Sequence, residues 1–479
     1  MTVPSREFAL KLLTPLSVLV ANATGFLIYL VLPKLLAPAE FALFSLLMST
    51  TAFGAALVFE WARHGLIRFS HVADPLQAAR NRATLAQIYR VLALGVVVLG
   101  AIWAIVGRGR FGVAGAAVVL ASVIAQGLFD GRQAQARARF HNVSFSLAWC
   151  VRSVLNIATA VAAALLLHDG LAAACAFGVS NLATWLLFND RFALLREECR
   201  PDRAALRTIL HYGAFIAVSS SITALFPVAV RYLPSHALGL GEVAGLMLAF
   251  DIGTKAIAMT GLTINLLALQ GAISAIEHGG AEAGRAKASR QFSLVLLAVL
   301  PAGLLAILCQ PYVAHFIVPP RYFDSYMETI GWAVAAALVV TFRTYAIDTV
   351  FMVARRSALS VAAPIITIVA MIGATWPMVA VLGNKPATYA QAALAGAVAG
   401  AVLAFVLAQR ALRFPVSGRE IGQIALALLA LALPLALLTF APSLWGFLAA
   451  SALGCGLFGG TVLALDIAGL RRNVLARRR

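Results

Sequence analysis

The sequence predicts an all-α polytopic membrane protein. About 14 transmembrane helices fall into two six-helix lobes, with two further helices at the C-terminal end. Three observations carry this. Of 479 residues 62% are hydrophobic and only 12% charged, at a mean hydropathy of +0.91. A soluble chain would be about a quarter charged. Runs of roughly 20 apolar residues, enough to cross the hydrocarbon core, recur along the whole length. The breaks between them alternate between basic and nearly uncharged. Short segments of alternating apolar and polar residues, the mark of a membrane β-barrel, are absent.

The first span, 9–32, follows Arg6 and Lys11. Ala21, Asn22 and Ala23 mimic a signal-peptide cleavage site, but the apolar run resumes at Gly25 and continues to Leu32. That is too long for a signal h-region, so the segment reads as a transmembrane helix. Spans 41–60 and 85–106 flank a polar segment containing Arg63, Arg68, Arg80 and Arg82. Spans 113–129 and 143–167 flank Arg132, Arg137 and Arg139. Span 171–188 follows the short break at His168 and Asp169. Five arginines between Arg191 and Arg207 then precede 209–233 and 242–269. Arg285, Lys287 and Arg290 introduce 291–309, and the polar segment Gln310–Glu328 leads to 329–353. The last four spans are 359–382, 388–408, 421–440 and 444–467, ahead of a tail with five arginines from Arg471 to Arg479.

With the N-terminus placed inside, about 27 Lys and Arg fall on inside segments and about 6 outside. The outside six are Lys34, Arg108, Arg110, Arg231, Arg321 and Lys385. This bias sets both termini in the cytoplasm. It also accounts for the net charge of +18 without invoking nucleic acid. The five cysteines are scattered without paired or metal-ligand spacing and read as small packing residues.

Two loops resemble each other. One runs from Gly65 to Arg80 and the other from Gly271 to Arg285. Each opens on Gly-x-Ile and closes on basic residues before an apolar run. They lie about six helices apart, which suggests parallel repeats. The corresponding division is 1–200 for the first lobe, 201–412 for the second, and 413–479 for the extra helices and tail.

A charge at the bilayer centre costs about 2.5–3.5 kcal/mol, so each one is a candidate for function. Arg152 and Lys255 lie near the midplane, with Arg343 below them. Together they suggest a water-filled cavity between the lobes that receives an anionic group, since the arginine fork suits phosphate. Arg90 and Arg231 join the candidate cationic set, the competing reading being that they snorkel to headgroups. Asp251 lies four residues before Lys255 on one helix face and can neutralise it. Asp251, Asp348 and Glu60 are the candidate carboxylates for coupling to a proton or sodium gradient, while Asp348 can instead tether Arg343 or Arg355. Asn22 and Thr24 in the first helix, with Ser220 and Thr223 in the seventh, either line the cavity or hold helices together. Pro15, Pro227, Pro301, Pro364, Pro377 and Pro434 interrupt helices and permit bending.

No phosphate-binding loop, dinucleotide fingerprint, metal-ligand cluster or catalytic triad pattern occurs, and no cofactor is expected. The longest outside segment, Gln310–Glu328, carries only Arg321, Asp324 and Glu328 as charges, too little for an enzyme that assembles polymer outside.

Three stretches carry a family resemblance: Glu60 to Phe69 closing the second helix; Gln133 to Arg139 followed by Val151, Arg152 and Ser153; and Pro319 to Tyr326 before the tenth helix. In these, the chain resembles the polysaccharide-transporter branch of the multidrug/oligosaccharidyl-lipid/polysaccharide exporter superfamily, which includes the O-antigen and exopolysaccharide repeat-unit flippases. The resemblance implies a V-shaped pair of lobes, like that of the multidrug exporters. It implies transfer of an undecaprenyl-pyrophosphate-type lipid-linked oligosaccharide from the inner to the outer leaflet of the bacterial inner membrane. It assigns the cationic cavity first to Arg152, then to Lys255 and Arg343. Membrane lipids and polysaccharide polymerase machinery are the implied partners. Helix 1 lacks the acidic residue of the drug-exporter branch. A cation-coupled antiporter of drugs or small metabolites is the alternative.

Overall fold

A computed structural model describes residues 6–69, 74–106, 112–139, 141–188, 201–354, 356–437 and 443–469. Cys199, Arg108, Arg110, Arg191, Arg196, Arg200, Arg355 and the basic tail lie outside the described residues. Every element among the described residues is helical, and helices lie over the expected spans. Among the described residues, eleven helices are long and apolar enough to cross a membrane.

In the first half of the chain the helices are α1 (Arg6–Leu35), α2 (Pro38–Phe69), α3 (Pro75–Val106), α4 (Gly112–Ala138), α5 (Asn142–Leu167), α6 (Gly170–Phe188) and α7 (Arg203–Leu238). In the second half they are α8 (Ala244–Leu308), α9 (Gln310–Ile317), α10 (Phe323–Phe342), α11 (Asp348–Val353), α12 (Ala362–Leu382), α13 (Pro386–Leu412), α14 (Gly418–Leu437) and α15 (Leu444–Ala464).

Three sequence expectations are corrected. The segments 65–80 and 271–285, read as loops, are largely helical. The α2 helix runs on to Phe69, α3 begins at Pro75, and α8 continues through 271–285. Hydropathy detects only the apolar part of a helix. The backbone ladder continues into water at no cost in unpaired groups, so α2 reaches about 48 Å over 32 residues. The eighth and ninth expected spans form the single element α8, broken at Gly280 with φ 73° and ψ −170°. That left-handed φ is open to glycine and strained for other residues. The segment before the tenth span is not a loop either. It holds α9 and a 3₁₀ turn at Pro320–Tyr322.

The chain divides into two compact units, Met1–Tyr232 and Leu233–Arg479. In the first, α1 packs on α5, α2 on α4, and α6 on both α4 and α5. In the second, α8 packs on α10, and α13 on both α10 and α12. The α2–α4–α6–α5 pattern thus recurs as α8–α10–α13–α12. Glycines permit these close approaches. A Cβ on Gly54 of α2 would come within 2.7 Å of Val123 of α4, and one on Gly253 of α8 within 3.1 Å of Val334 of α10. The α14 and α15 helices lie on the second limb of α8 through Leu297, Ile424, Ala427 and Val462.

Gly170 opens α6 directly against α2. Its N–H donates to Glu40 Oε2 at 2.9 Å, and an added Cβ would overlap the Glu40 carbonyl. Gly170→Val is expected to destabilise by about 1–3 kcal/mol, the usual cost of overpacking. A thermal melt of the purified protein, compared with Gly95→Val at an open site, measures it.

Candidate functional site

In the first unit, α2, α3, α4 and α5 bring ionisable groups together inside the helix bundle. Arg152 of α5 lies about 15 Å from that helix's start, and Asp130 of α4 about 12 Å from that helix's end, so the two meet at one depth. Arg152 Nη1 stands 3.8 Å from Asp130 Oδ1, with 20% and 28% of the two side chains exposed. The guanidinium covers the Phe129 ring at 4.5 Å and lies 5.9 Å from the Trp149 ring. Such stacking is favourable for a weakly hydrated planar cation.

One turn away on α2, Glu60 pairs with Arg63, and His64 Nε2 lies 3.3 Å from the Glu60 carboxylate. Asp130 is within electrostatic reach of Arg63 and Glu60 and takes a hydrogen bond from Gln126. Four buried donors around this cluster have no hydrogen-bond partner among the described residues: Arg63 Nε, Tyr89 OH, Trp149 Nε1 and Arg152 Nε. Buried polar groups are nearly always satisfied, so a set of orphan donors marks a place where a polar ligand or water is received. The aromatic lining and two arginines make an acceptor-rich, anionic group the best match.

Asp130, Arg63, Tyr89 and Trp149 were not among the residues singled out from sequence. Arg63 reads as a loop cation when α2 is ended at residue 60, and Asp130 reads as a boundary residue when α4 is ended at 129. A spacing test does find one of them. Asp130 and Arg152 lie at similar depths once the helices are extended.

In the second unit Arg343 is 2% exposed. It starts a π turn, Arg343–Ile347, between α10 and α11. Its Nη1 donates to Thr367 Oγ1 of α12 at 2.7 Å, and its Nε stands 3.3 Å from Asp348 Oδ2. The wider turn leaves the Tyr345 carbonyl to accept from Gln291 Nε2 at 3.0 Å. Arg343 and Asp348 therefore meet each other. Asp251 is buried on α8, with Lys255 half-buried one turn on.

The remaining candidates are dispersed. Arg231 is 6% exposed and ties α7 to α2, with Nε donating to Ser45 Oγ at 2.9 Å and Nη1 to the Pro227 carbonyl at 2.7 Å. Arg90 is exposed on α3, 3.5 Å from Gln87 Oε1. Thr24 and Thr223 donate to carbonyls of their own helices, Val20 and Ser219. Asn22 and Ser220 are half-buried. Arg90→Ala is expected to change stability by no more than about 0.5 kcal/mol, as exposed substitutions do. A thermal melt of the purified protein measures it.

One more buried arginine was read from sequence as a loop cation. Arg132 of α4 is 4% exposed, and its Nε donates to the carbonyl of Phe188, the last residue of α6, at 2.9 Å. It also binds Ser144 near the start of α5. Arg132 and Arg343 each stand nine residues after the valine that meets a glycine of α2 or α8, so the two units place an arginine at equivalent points.

The structure is similar to the lipid II flippase MurJ in an inward closed conformation. The TM-score is 0.72 at 10% identity, covering 97% of this chain and 100% of that one. It is also similar to an inward-facing multidrug resistance MATE transporter of the MOP superfamily, with TM-score 0.63 and 16% identity over 82% of this chain and 94% of that one. A MOP superfamily transporter from Pyrococcus furiosus gives TM-score 0.53 and 15% identity over 84% and 95%. No protein-family model and no curated protein matches the chain. The chain therefore has the MurJ/MATE fold, an all-helical multi-pass membrane architecture whose solved examples here are transporters and a flippase.

Proposed function

We propose that the protein is a flippase that moves a polyprenyl-pyrophosphate-linked oligosaccharide from the cytoplasmic to the periplasmic leaflet by alternating access, and that it is not an enzyme. The observation that carries this reading is Arg152. It is a cation about 15 Å inside α5, its Nε has no partner among the described residues, and its carboxylate neighbour is 3.8 Å away rather than in close contact. A pyrophosphate offers closer, doubly charged acceptors than Asp130 does, and can recruit the orphan donors of Tyr89 and Trp149 as well. Displacing Asp130 from Arg152 leaves it to Arg63, which is already within reach. The fold likeness to a lipid II flippase over nearly the whole chain supports a lipid-linked cargo.

Export of drugs or small metabolites in exchange for a cation is the second reading. It is favoured by the likeness to MATE transporters and by the carboxylates Glu60 and Asp130 held together within the first unit.

Mass spectrometry of polyprenol-linked lipids from a deletion strain separates the two. The expected result is accumulation of a pyrophosphate-linked oligosaccharide with loss of surface polymer. An unchanged lipid profile, together with intact polymer and raised sensitivity to toxic cations, would replace the flippase by the antiporter.

A further inference from the structure

The outer surface of the first unit carries a second basic site, well separated in sequence from Arg152. The opening turns of α7 set Arg203, Arg207 and His211 four residues apart, so they form one stripe along the helix. All three are exposed. Leu206 and Leu210, 36% and 44% exposed, form the adjoining stripe. These five residues line an open concavity. Arg203 and Leu206 also border a neighbouring groove of about 290 Å³, walled by Trp61 of α2 and Ile88, Val91 and Leu92 of α3. The basic stripe thus opens directly onto an apolar slot.

The two halves have different chemistry and a fixed order. On α3 the apolar wall continues away from the arginines through Leu94 and Val98, 64% and 48% exposed, which are one helical face with Val91. That face is apolar and exposed, as a lipid-facing surface would be. The arginines lie at the end of α7 nearest the basic inside segments. Among the described residues one carboxylate borders the groove, that of Asp202, and it caps the Ala204 N–H at 3.0 Å. Three basic side chains therefore face outward beside a slot shaped for a hydrocarbon chain. Nothing in the proposed transport step uses them.

We infer that this is a binding site for an anionic glycerophospholipid, with the phosphate held by Arg203, Arg207 and His211 and one acyl chain lying in the groove between α3 and α7. Binding there fastens the first turns of α7 to α2 and α3. The direct ties at that end are few: the Asp202 N–H to Thr84 Oγ1 at 2.9 Å, and the close approaches of Ile209 to Gly65 and of Gly213 to Trp61. An attracted basic residue contributes about a fivefold gain in affinity for an anionic lipid surface. Removing both arginines is expected to weaken binding by about 25-fold.

The test uses full-length protein delipidated in detergent. Phosphatidylglycerol, phosphatidylcholine and inorganic phosphate are added separately, with retained lipid read by native mass spectrometry and stability by thermal melting. Wild type is expected to retain phosphatidylglycerol in preference to phosphatidylcholine and to melt higher with it. The Arg203→Gln/Arg207→Gln/His211→Gln variant should lose the preference while melting like wild type in detergent alone. Val91→Trp, which fills the groove from an exposed position, should lose it with the basic stripe intact, and it decides the matter if the triple variant folds poorly. Equal retention of both lipids by wild type, or an unchanged preference in Val91→Trp, would overturn the inference. Equal protection by inorganic phosphate would do so too, since it would show an anion site without a lipid.

Discussion

Arg152→Ala is expected to lower export of surface polymer severely while the protein remains in the membrane at wild-type level. A charged hydrogen-bonding partner contributes about 1.5–3 kcal/mol, so removing it should slow transfer by about 10- to 100-fold. Two companions separate recognition from folding. Arg152→Lys keeps the charge but not the planar fork or its stacking over Phe129, and should retain part of the activity. Arg152→Ala removes the nearest cation to Asp130 and leaves that buried carboxylate to Arg63 alone, a destabilising arrangement. Arg152→Ala combined with Asp130→Asn removes that undercompensated charge. The double variant should recover thermal stability and remain impaired in export. Polymer export at wild-type rate in either alanine variant would remove Arg152 from the proposed site.

Arg343→Ala is expected to produce the largest loss of stability. Arg343 is buried, paired with Asp348 and bonded to Thr367, so its removal strands a carboxylate inside the second unit. Breaking one side of a buried pair costs about 3–5 kcal/mol. Arg343→Leu/Asp348→Leu removes both charges and should recover most of that. The double-mutant cycle should show a coupling of about 1 kcal/mol or more between the two positions. Thermal melts of the four proteins measure it, and polymer export adds a second reading. A double variant that is stable and exports normally assigns Arg343 to joining α10 to α12. A stable but inactive one assigns it to the cargo.

The fold was largely legible in the sequence because a bilayer imposes its own rules. Apolar runs had to be helices, since only helices or closed barrels satisfy the backbone in hydrocarbon. That placed α5, α6 and α15 to within a few residues. The same rule hid what lies past the apolar runs. The last turns of α2 and α4 carry Arg63, Asp130 and Arg132, and hydropathy counts those as loop.

The candidate site was legible only in part, for a related reason. Arg152, Arg343 and Asp348 announced themselves as charges inside apolar runs. Their partners did not. Asp130 lies 22 residues from Arg152 and Thr367 lies 24 from Arg343, and such contacts arise from helix packing rather than local spacing. Arg231 looked much like Arg152 in sequence, yet it is tied to Ser45 on α2.

By itself, then, the sequence determined the all-helical membrane fold and the approximate positions of its spans, because each follows from the local cost of placing a group in hydrocarbon. The tertiary structure alone decided which charges are neutralised, which tie helices together and which keep an unpaired donor. Those outcomes depend on contacts of a few ångströms between helices far apart in the chain.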